Sequence, residues 1–398
     1  MTQKPNYAAG DILELKIEKI VPRGLGLAFA DGLTVFVPLS VAGDTVRAKI
    51  DHIKKRIGFA SIVDIIEPSK NRIAPPCPHF GVCGGCDFQQ MNYESQLHAK
   101  LDIIRDCLKR IGKIEFDDLG IIPSPNQFHY RSRARWHADR DRQKIGYYAR
   151  DSHDTVDVEV CPILSPELEA VLKSLRQNID WPQMWADTAE IEAAVGDRGA
   201  VSLYSSDMAE STAEITYTHD GIEYAFSARS FFQCNQSLIG ELVRLAIGDA
   251  SGETALDLYC GVGLFALPMS KQFTNVIGVE ENGEAIRFAK QNKARAAASN
   301  VEFKRDRVRD FLKGHELSKT EFVLIDPPRA GAEDHTIELI AKMAPKQISY
   351  VSCEPSILAR DLRILLDRGY QIDAMTAIDL FPQTHHVETV VRLRGGFK

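Results

Sequence analysis

Apolar and polar positions follow different periods in different stretches of the chain, and the changes of period divide it. Between residues 10 and 66, short apolar runs at 12–20, 26–29, 33–37, 45–53 and 57–66 are punctuated by Gly24, Gly26, Gly32 and Gly43. Five strands in so short a span predict a small β-barrel of the OB type. Residues 67–76, EPSKNRIAPP, break the pattern and read as a linker. At 93–111, Leu97, Leu101, Ile104, Leu108 and Ile111 recur at helical spacing before Gly112, which predicts an amphipathic helix with a glycine stop. Tyr130, Ser132, Ala134 and Trp136 then alternate with Arg131, Arg133 and Arg135, which predicts a strand with one arginine face. From about residue 226 onward, apolar runs at 255–258, 276–280, 301–303, 322–325 and 348–352 alternate with helical stretches. That alternation predicts an α/β domain with a doubly wound parallel sheet. Two further strands, at 372–378 and 387–393, follow without a long helix between them. The expected organisation is a barrel over 1–67, a central α+β domain over 77–225 and the α/β domain over 226–398.

Composition supports a globular reading and limits the alternatives. The 398 residues are 44% hydrophobic and 26% charged, enough for two or three domains with substantial cores. The N-terminal stretch lacks an apolar core of signal-peptide length, and no later window approaches the length of a bilayer span, so the cytoplasm is expected, without membrane association. Eight cysteines in such a chain point to metal or catalysis rather than to a disulfide framework. A net charge of −7 argues against a purely electrostatic nucleic-acid binder but leaves room for a local basic surface. Residues 129–150 hold seven Lys/Arg against two Asp, so Arg131, Arg133 and Arg135 are expected to dock phosphates. Lys54, Lys55 and Arg56 form a basic tip that reads as a solvated turn.

Candidate chemistry collects at strand ends. DLYCGVGLFALPMS, residues 257–270, is a strand, a glycine turn and a helix, and Gly261, Gly263 and Ala266 fit the G-x-G-x-x-A spacing that brings a ligand to a helix N-terminus. Glu280 ends the next strand, where a carboxylate can hold ribose hydroxyls. Asp326, in DPPRAG after the fourth strand, should reach the same crevice, because ligands of open α/β sheets bind beyond the carboxyl ends of strands. Cys353, in YVSCEPS, ends the fifth strand just before Pro355, a residue suited to a first helical position. A helix N-terminus there favours thiolate. Cys77, Cys83 and Cys86 form C-x5-C-x2-C, and Cys161 in EVCPI is the fourth ligand chosen. A single close pair flanked by Gly84 and Gly85 favours an iron–sulfur cluster over zinc, which often uses two close pairs.

With these motifs in order, the chain resembles the bacterial S-adenosylmethionine-dependent RNA 5-methyluridine methyltransferases. The resemblance is carried by CPHFGVCGGC with a distant CPI, FFQCN, DLYCGVG, DPPRAG, SCEPSILARDL and a terminal HHVET. It implies a TRAM barrel, a central domain with a 4Fe-4S cluster on Cys77, Cys83, Cys86 and Cys161, and a Rossmann-like class I methyltransferase domain. It implies that Gln233, Tyr259, Glu280, Asp306 and Asp326 line the S-adenosylmethionine pocket, that Cys353 is the nucleophile and that Glu388 is the base. Leu264 departs from the pattern, since some members carry a polar cofactor contact there. Carbon-5 of uracil is a poor nucleophile, so its methylation needs a thiolate to activate the ring and a base to remove a proton. Unstacking the target favours RNA in a loop. Cytosine enzymes are expected to carry a further cysteine in the DPP loop, where this chain has Arg329 and Ala330. The expected substrate is 23S rRNA first and tRNA second, acted on by a monomer. The competing classes are a non-catalytic iron–sulfur RNA-binding or redox-sensing protein on a methyltransferase fold, and a nicotinamide-dependent oxidoreductase, in which DPPRAG and SCEP have no role.

Overall fold

In a computed structural model, which describes residues 7–206, 213–314 and 319–395, the alternating C-terminal pattern becomes one eight-stranded sheet. Its order is Val301–Arg305, Phe273–Glu280, Gly252–Leu258, Phe322–Ile325, Gln347–Ser352, Glu388–Gly395, Tyr370–Ile378 and Gly120–Ile122. The first five are parallel. The chain winds outward from Gly252–Leu258, then returns to lay Phe322–Ile325 on its other side. That reversal is the topological switch at which open α/β sheets leave a crevice. Glu388–Gly395 runs antiparallel to Gln347–Ser352, with Ser352 opposite Thr389. Its first residue, Glu388, therefore lies on the rim formed by the other strands' last residues.

The expected strands are all present, but the chain is more interleaved than three consecutive spans imply. The amphipathic helix, Tyr93–Cys107, starts at Asn92, whose side chain accepts from the Ser95 N–H at 2.9 Å. It ends through a wider turn at Leu108–Gly112, with Lys113 rather than the glycine taking the left-handed position. Its apolar stripe needs a partner, and Leu101, Ile104 and Leu108 find it in a core shared with Leu358 and Leu362 of helix Pro355–Asp367. Gly120–Ile122 then adds a parallel edge strand to the C-terminal sheet. A stretch expected in the central span thus completes one face of the α/β layer.

The N-terminal segment forms six strands rather than five. The run at 12–20 is divided into Ile12–Lys16 and Lys19–Val21. These two pieces sit at opposite ends of the sheet order, pairing with Thr45–Lys54 and Leu25–Ala30 respectively. One bent segment joining both ends closes the sheet around Leu15, Val35, Val46 and Ala60. The central sheet has the order Thr155–Asp157, Lys144–Tyr148, Arg133–Asp139, Thr188–Val195 and Val201–Tyr204 and is antiparallel throughout. Ala134, Trp136 and Ala138 point into its core, as the alternation predicts. No helix among the described residues is long and apolar enough to cross a membrane.

Candidate active site

The glycine turn after Gly252–Leu258 is tightly constrained. Tyr259, a bulky residue, takes φ 66°, and Gly261 and Gly263 take 53° and 93°. A Cβ on Gly263 would meet Phe303 at 2.9 Å, so backbone and packing both demand glycine there. The Glu280 carboxylate accepts from Gly261 N–H at 3.2 Å and Asn282 N–H at 2.7 Å, while the Asp306 N–H donates to the Glu280 carbonyl at 3.1 Å. Gln233, Tyr259, Gly261, Leu264 and Asp326 line a narrow crevice together with Phe231, which is 66% exposed. The Tyr259 hydroxyl donates to Glu333.

Asp257 lies beneath this turn and escaped the sequence reading. It is fully buried; one oxygen accepts from Ala266 N–H at 2.8 Å, and the other has no partner among the described residues. Burial holds its carboxyl well above the ordinary range, and the charges of Asp326 and Glu280 push the same way.

Cys353 is half-buried at the end of Gln347–Ser352. Pro355 opens the next helix and Glu354 caps it, accepting from the Ser356 hydroxyl at 2.7 Å. The expected thiolate is not the resting state. Burial, then Glu388 and Asp326, push the Cys353 thiol up to about 12, with Arg329 opposing. Glu388 is 5% exposed. Its carboxyl and that of Asp326 are both raised by burial, and Asp326 raises Glu388 further. Two buried carboxyls this close cannot both be readily charged.

A cavity of about 350 Å³ joins two sets of residues that the sequence reading held apart. Cys353, Arg329 and His386 line one side, and Cys77, Cys83, Cys86 and Cys161 the other. Burial raises all four thiols, and each of Cys83, Cys86 and Cys161 is raised further by others of the set. Among the described residues, no three His, Cys, Asp or Glu side chains converge to hold a single metal ion. Arg329 and His386 were not foreseen as site residues. Arg329 Nη1 donates to His386 Nε2 at 3.2 Å, and burial, then the cations around it, depress His386 to about 2, leaving a neutral ring.

The segment leading to Glu388 is fixed from two directions. The fully buried Lys100 donates to Asp379 and, at 3.0 Å, to the Phe381 carbonyl, while the Tyr93 hydroxyl donates to Asp379 at 2.8 Å. Beside the cysteine loop, Asp87 accepts from the His385 N–H at 2.8 Å and faces its ring, and the Phe88 N–H donates to the Gln383 carbonyl at 3.0 Å. The cysteine loop and the Glu388 segment are therefore one hydrogen-bonded unit.

The three arginines do not share one exposed face. The Arg133 guanidinium donates to the carbonyls of Ser227, Ala228 and Ser230, clamping that turn. Arg131 lines the cysteine cavity, and its Nε donates to the Arg133 carbonyl at 2.9 Å. Only Arg135 of the three is exposed, and it pairs with Glu192 at 2.9 Å.

Comparison with known proteins agrees with this geometry. Residues 205–395 match the family model described as tRNA (Uracil-5-)-methyltransferase. The chain is 31% identical to the 23S rRNA (uracil(1939)-C(5))-methyltransferase RlmD of Shewanella frigidimarina, over 95% of each chain. It is 32% identical to an uncharacterized RNA methyltransferase of Aquifex aeolicus, over 96% of this chain and 98% of the other. Its fold matches the Pyrococcus abyssi tRNA (uracil-54, C5)-methyltransferase, crystallised with S-adenosyl-L-homocysteine, with a TM-score of 0.74 and 26% identity over 96% of this chain and all of the other. A thiol and two carboxyls on one sheet rim, beside an acidic crevice at the topological switch, thus sit within full-length similarity to such enzymes, and the chain belongs to the RNA uracil-C5-methyltransferase family.

Proposed function

We propose that the protein transfers a methyl group from S-adenosylmethionine to carbon-5 of a uridine in 23S rRNA. The reading is carried by the meeting of Cys353 with Glu388 and Asp326, close enough that the two carboxyls raise the thiol. Cys353 loses its proton to solvent, favoured by Arg329, and its sulfur adds to carbon-6 of the uracil. The ring becomes an enolate, which makes carbon-5 nucleophilic. S-adenosylmethionine supplies the electrophilic methyl group. Glu388 then removes the carbon-5 proton; the electrons of that bond restore the ring double bond as the carbon–sulfur bond to Cys353 breaks. Asp326 lines the crevice and Glu280 holds its glycine turn, carboxyls suited to a ligand with a sulfonium and an ammonium group, with Gln233, Tyr259 and Asp306 completing the pocket. A transfer RNA substrate is the second reading, favoured by the Pyrococcus abyssi neighbour.

Cys77, Cys83, Cys86 and Cys161 suit a 4Fe-4S cluster better than zinc. Zinc needs its ligands around one point, whereas the four irons of a cluster each take one thiolate at separate corners. Four thiols line one cavity, and the single close pair, Cys83 and Cys86, beside Gly84 and Gly85 favours the second pattern. The cluster would tie residues 77–86 to Cys161 and so brace the segment that Asp87 holds. The barrel is read as a TRAM-type RNA-binding module, and the enzyme as a cytoplasmic monomer. Deleting the gene and mapping 5-methyluridine across total RNA tests the proposal: loss of one ribosomal position supports it, loss from transfer RNA alone selects the second reading, and no loss refutes both.

A further inference from the structure

The outer wall of the barrel carries a row of aromatic rings, half-buried at Phe36 and Phe59 and open at His52. Phe36 pairs in register with Phe59, and Phe59 with His52, so three rings stand in one row across three neighbouring strands. His52 and Phe59 are stacked at 4.6 Å and 13°, and Phe36 and Phe59 are 5.6 Å apart. The row ends at His52, whose ring is exposed; Phe29, one strand beyond Phe36, is 54% exposed, and Ile57 is 41% exposed. Scattered apolar residues on a surface are ordinary. A stacked row with an open end is a more specific feature.

Charge and position say what could cover it. Lys54, Lys55 and Arg56 form the turn at this end of the barrel and are exposed. The ion pairs of barrel residues among the described residues are Lys19–Asp106, Arg47–Asp64 and Arg72–Asp44, which leaves these three cations without a carboxylate. In a chain of net charge −7, three adjacent cations make a local basic point. The opposite end of the barrel docks on the rest of the molecule: Gly24 packs against Phe88 and His385, and the Ser40 carbonyl accepts from Gln90. The rings therefore lie toward the free end of the strands, away from the Cys353 rim.

We propose that this wall binds an unpaired segment of the RNA substrate: one base continues the stack on His52, another stacks on Phe29, and Lys54, Lys55 and Arg56 take the phosphates between them. Every base has a π-face, so such a surface grips single strands with little regard for sequence, and a duplex, whose bases are already stacked, gains nothing from it. The inference rests on RNA being the substrate, as proposed above. It assigns the wall to a flank of the target, so its loss should raise KM and leave kcat unchanged.

The test uses the full chain, a fluorescent single-stranded RNA of about twelve nucleotides and the duplex of the same sequence, read by anisotropy. Both rings are exposed, so Phe29→Ala,His52→Ala should melt like the wild type. It should bind the single strand at least about tenfold more weakly and the duplex unchanged. His52→Trp should keep single-strand affinity. Replacing Lys54, Lys55 and Arg56 with alanine should flatten the salt dependence by about 0.7 per lost phosphate contact. Unchanged single-strand binding by the folded double variant overturns the proposal, as does equal weakening toward the duplex. A change in the sedimentation of the RNA-free chain also overturns it, by making the wall a contact between copies. If the wild type methylates no RNA, the functional reading itself has failed; if it methylates and the variants bind normally, this inference alone has.

Discussion

Cys353 and the four cysteines across the cavity face the same space, but the chain delivers them by different means. Cys353 ends a fully buried parallel strand, hydrogen-bonded on both sides and followed at once by a capped helix. Cys77, Cys83, Cys86 and Cys161 sit outside regular elements. What positions them is a set of turn bonds, such as Cys83 N–H to the His79 carbonyl at 2.9 Å, and the Asp87 link to His385. Their electrostatic company differs too. After burial, Cys353 is raised mainly by carboxyls, while Cys161 is raised by neighbouring thiols and lowered by Arg131. A thiol beside carboxyls is a poor permanent anion but, once deprotonated, a strong nucleophile, which suits transient covalent chemistry. Thiols grouped with one another, with a cation nearby, suit permanent deprotonation by a metal group.

Substitution at Cys353 and Glu388 tests the rim side with the largest effect. Cys353→Ala should stay folded, bind RNA and transfer no methyl. Glu388→Gln should add the thiol, accept the methyl and stall, leaving protein covalently joined to methylated RNA. Denaturing electrophoresis with cofactor-derived label reads the adduct, which should vanish in the double variant. Normal methylation by folded Cys353→Ala would remove the rim from the chemistry altogether.

The opposite side is tested at Cys161. Cys161→Ser should lose iron and sulfide from anaerobically purified protein and lower Tm, since two loops lose their common anchor. Methyl transfer should fall less completely than in Cys353→Ala, because the buried Lys100–Asp379 pair still holds the Glu388 segment. Zinc in place of iron and sulfide in the wild type would defeat the cluster reading.

A smaller effect lies in the pH dependence of the Cys353 thiol. With its pKa pushed up to about 12, alkylation of Cys353 in ligand-free protein should keep accelerating with pH well past the ordinary range of a thiol. The charged carboxyls disfavour thiolate, so removing them must lower the midpoint. Asp326→Asn,Glu388→Gln should therefore react faster than wild type at a fixed alkaline pH, though only in part, because burial is the first cause. Peptide mass spectrometry isolates Cys353 from the other thiols. A wild-type plateau near pH 9 would show that neither burial nor the carboxyls raise it.

What sequence could reveal follows the same division. Period and strand ends suffice for Glu280, Asp326 and Cys353, because a parallel sheet orders its carboxyl ends whatever the loops do. Glu388 came from the HHVET resemblance; its place on the rim needed the antiparallel direction of the last pair. The shared cavity was illegible. It depends on Asp87 meeting His385, 298 positions away, and no local pattern reports such a contact. Asp257 was read as part of a strand, which it is; only its unpartnered oxygen marks it as more.

The arginine face failed for a related reason and gives the smallest expected effects. Alternation correctly separated Arg131, Arg133 and Arg135 from the core residues, but it says nothing about what lies within a guanidinium's reach. Arg133 reaches three backbone carbonyls of the 227–230 turn, so Arg133→Ala leaves those acceptors short of a donor and should cost about 1–3 kcal/mol in urea unfolding. Arg135 is 59% exposed and already paired with Glu192, so Arg135→Ala should change stability by no more than about 0.5 kcal/mol. It should hardly alter RNA binding either, since a phosphate would have to displace that carboxylate. Filter binding at several salt concentrations decides the point. If Arg135→Ala weakens RNA binding more than Arg133→Ala does, at equal folded fraction, this strand contacts RNA after all, and the Glu192 pair is a resting contact that RNA replaces.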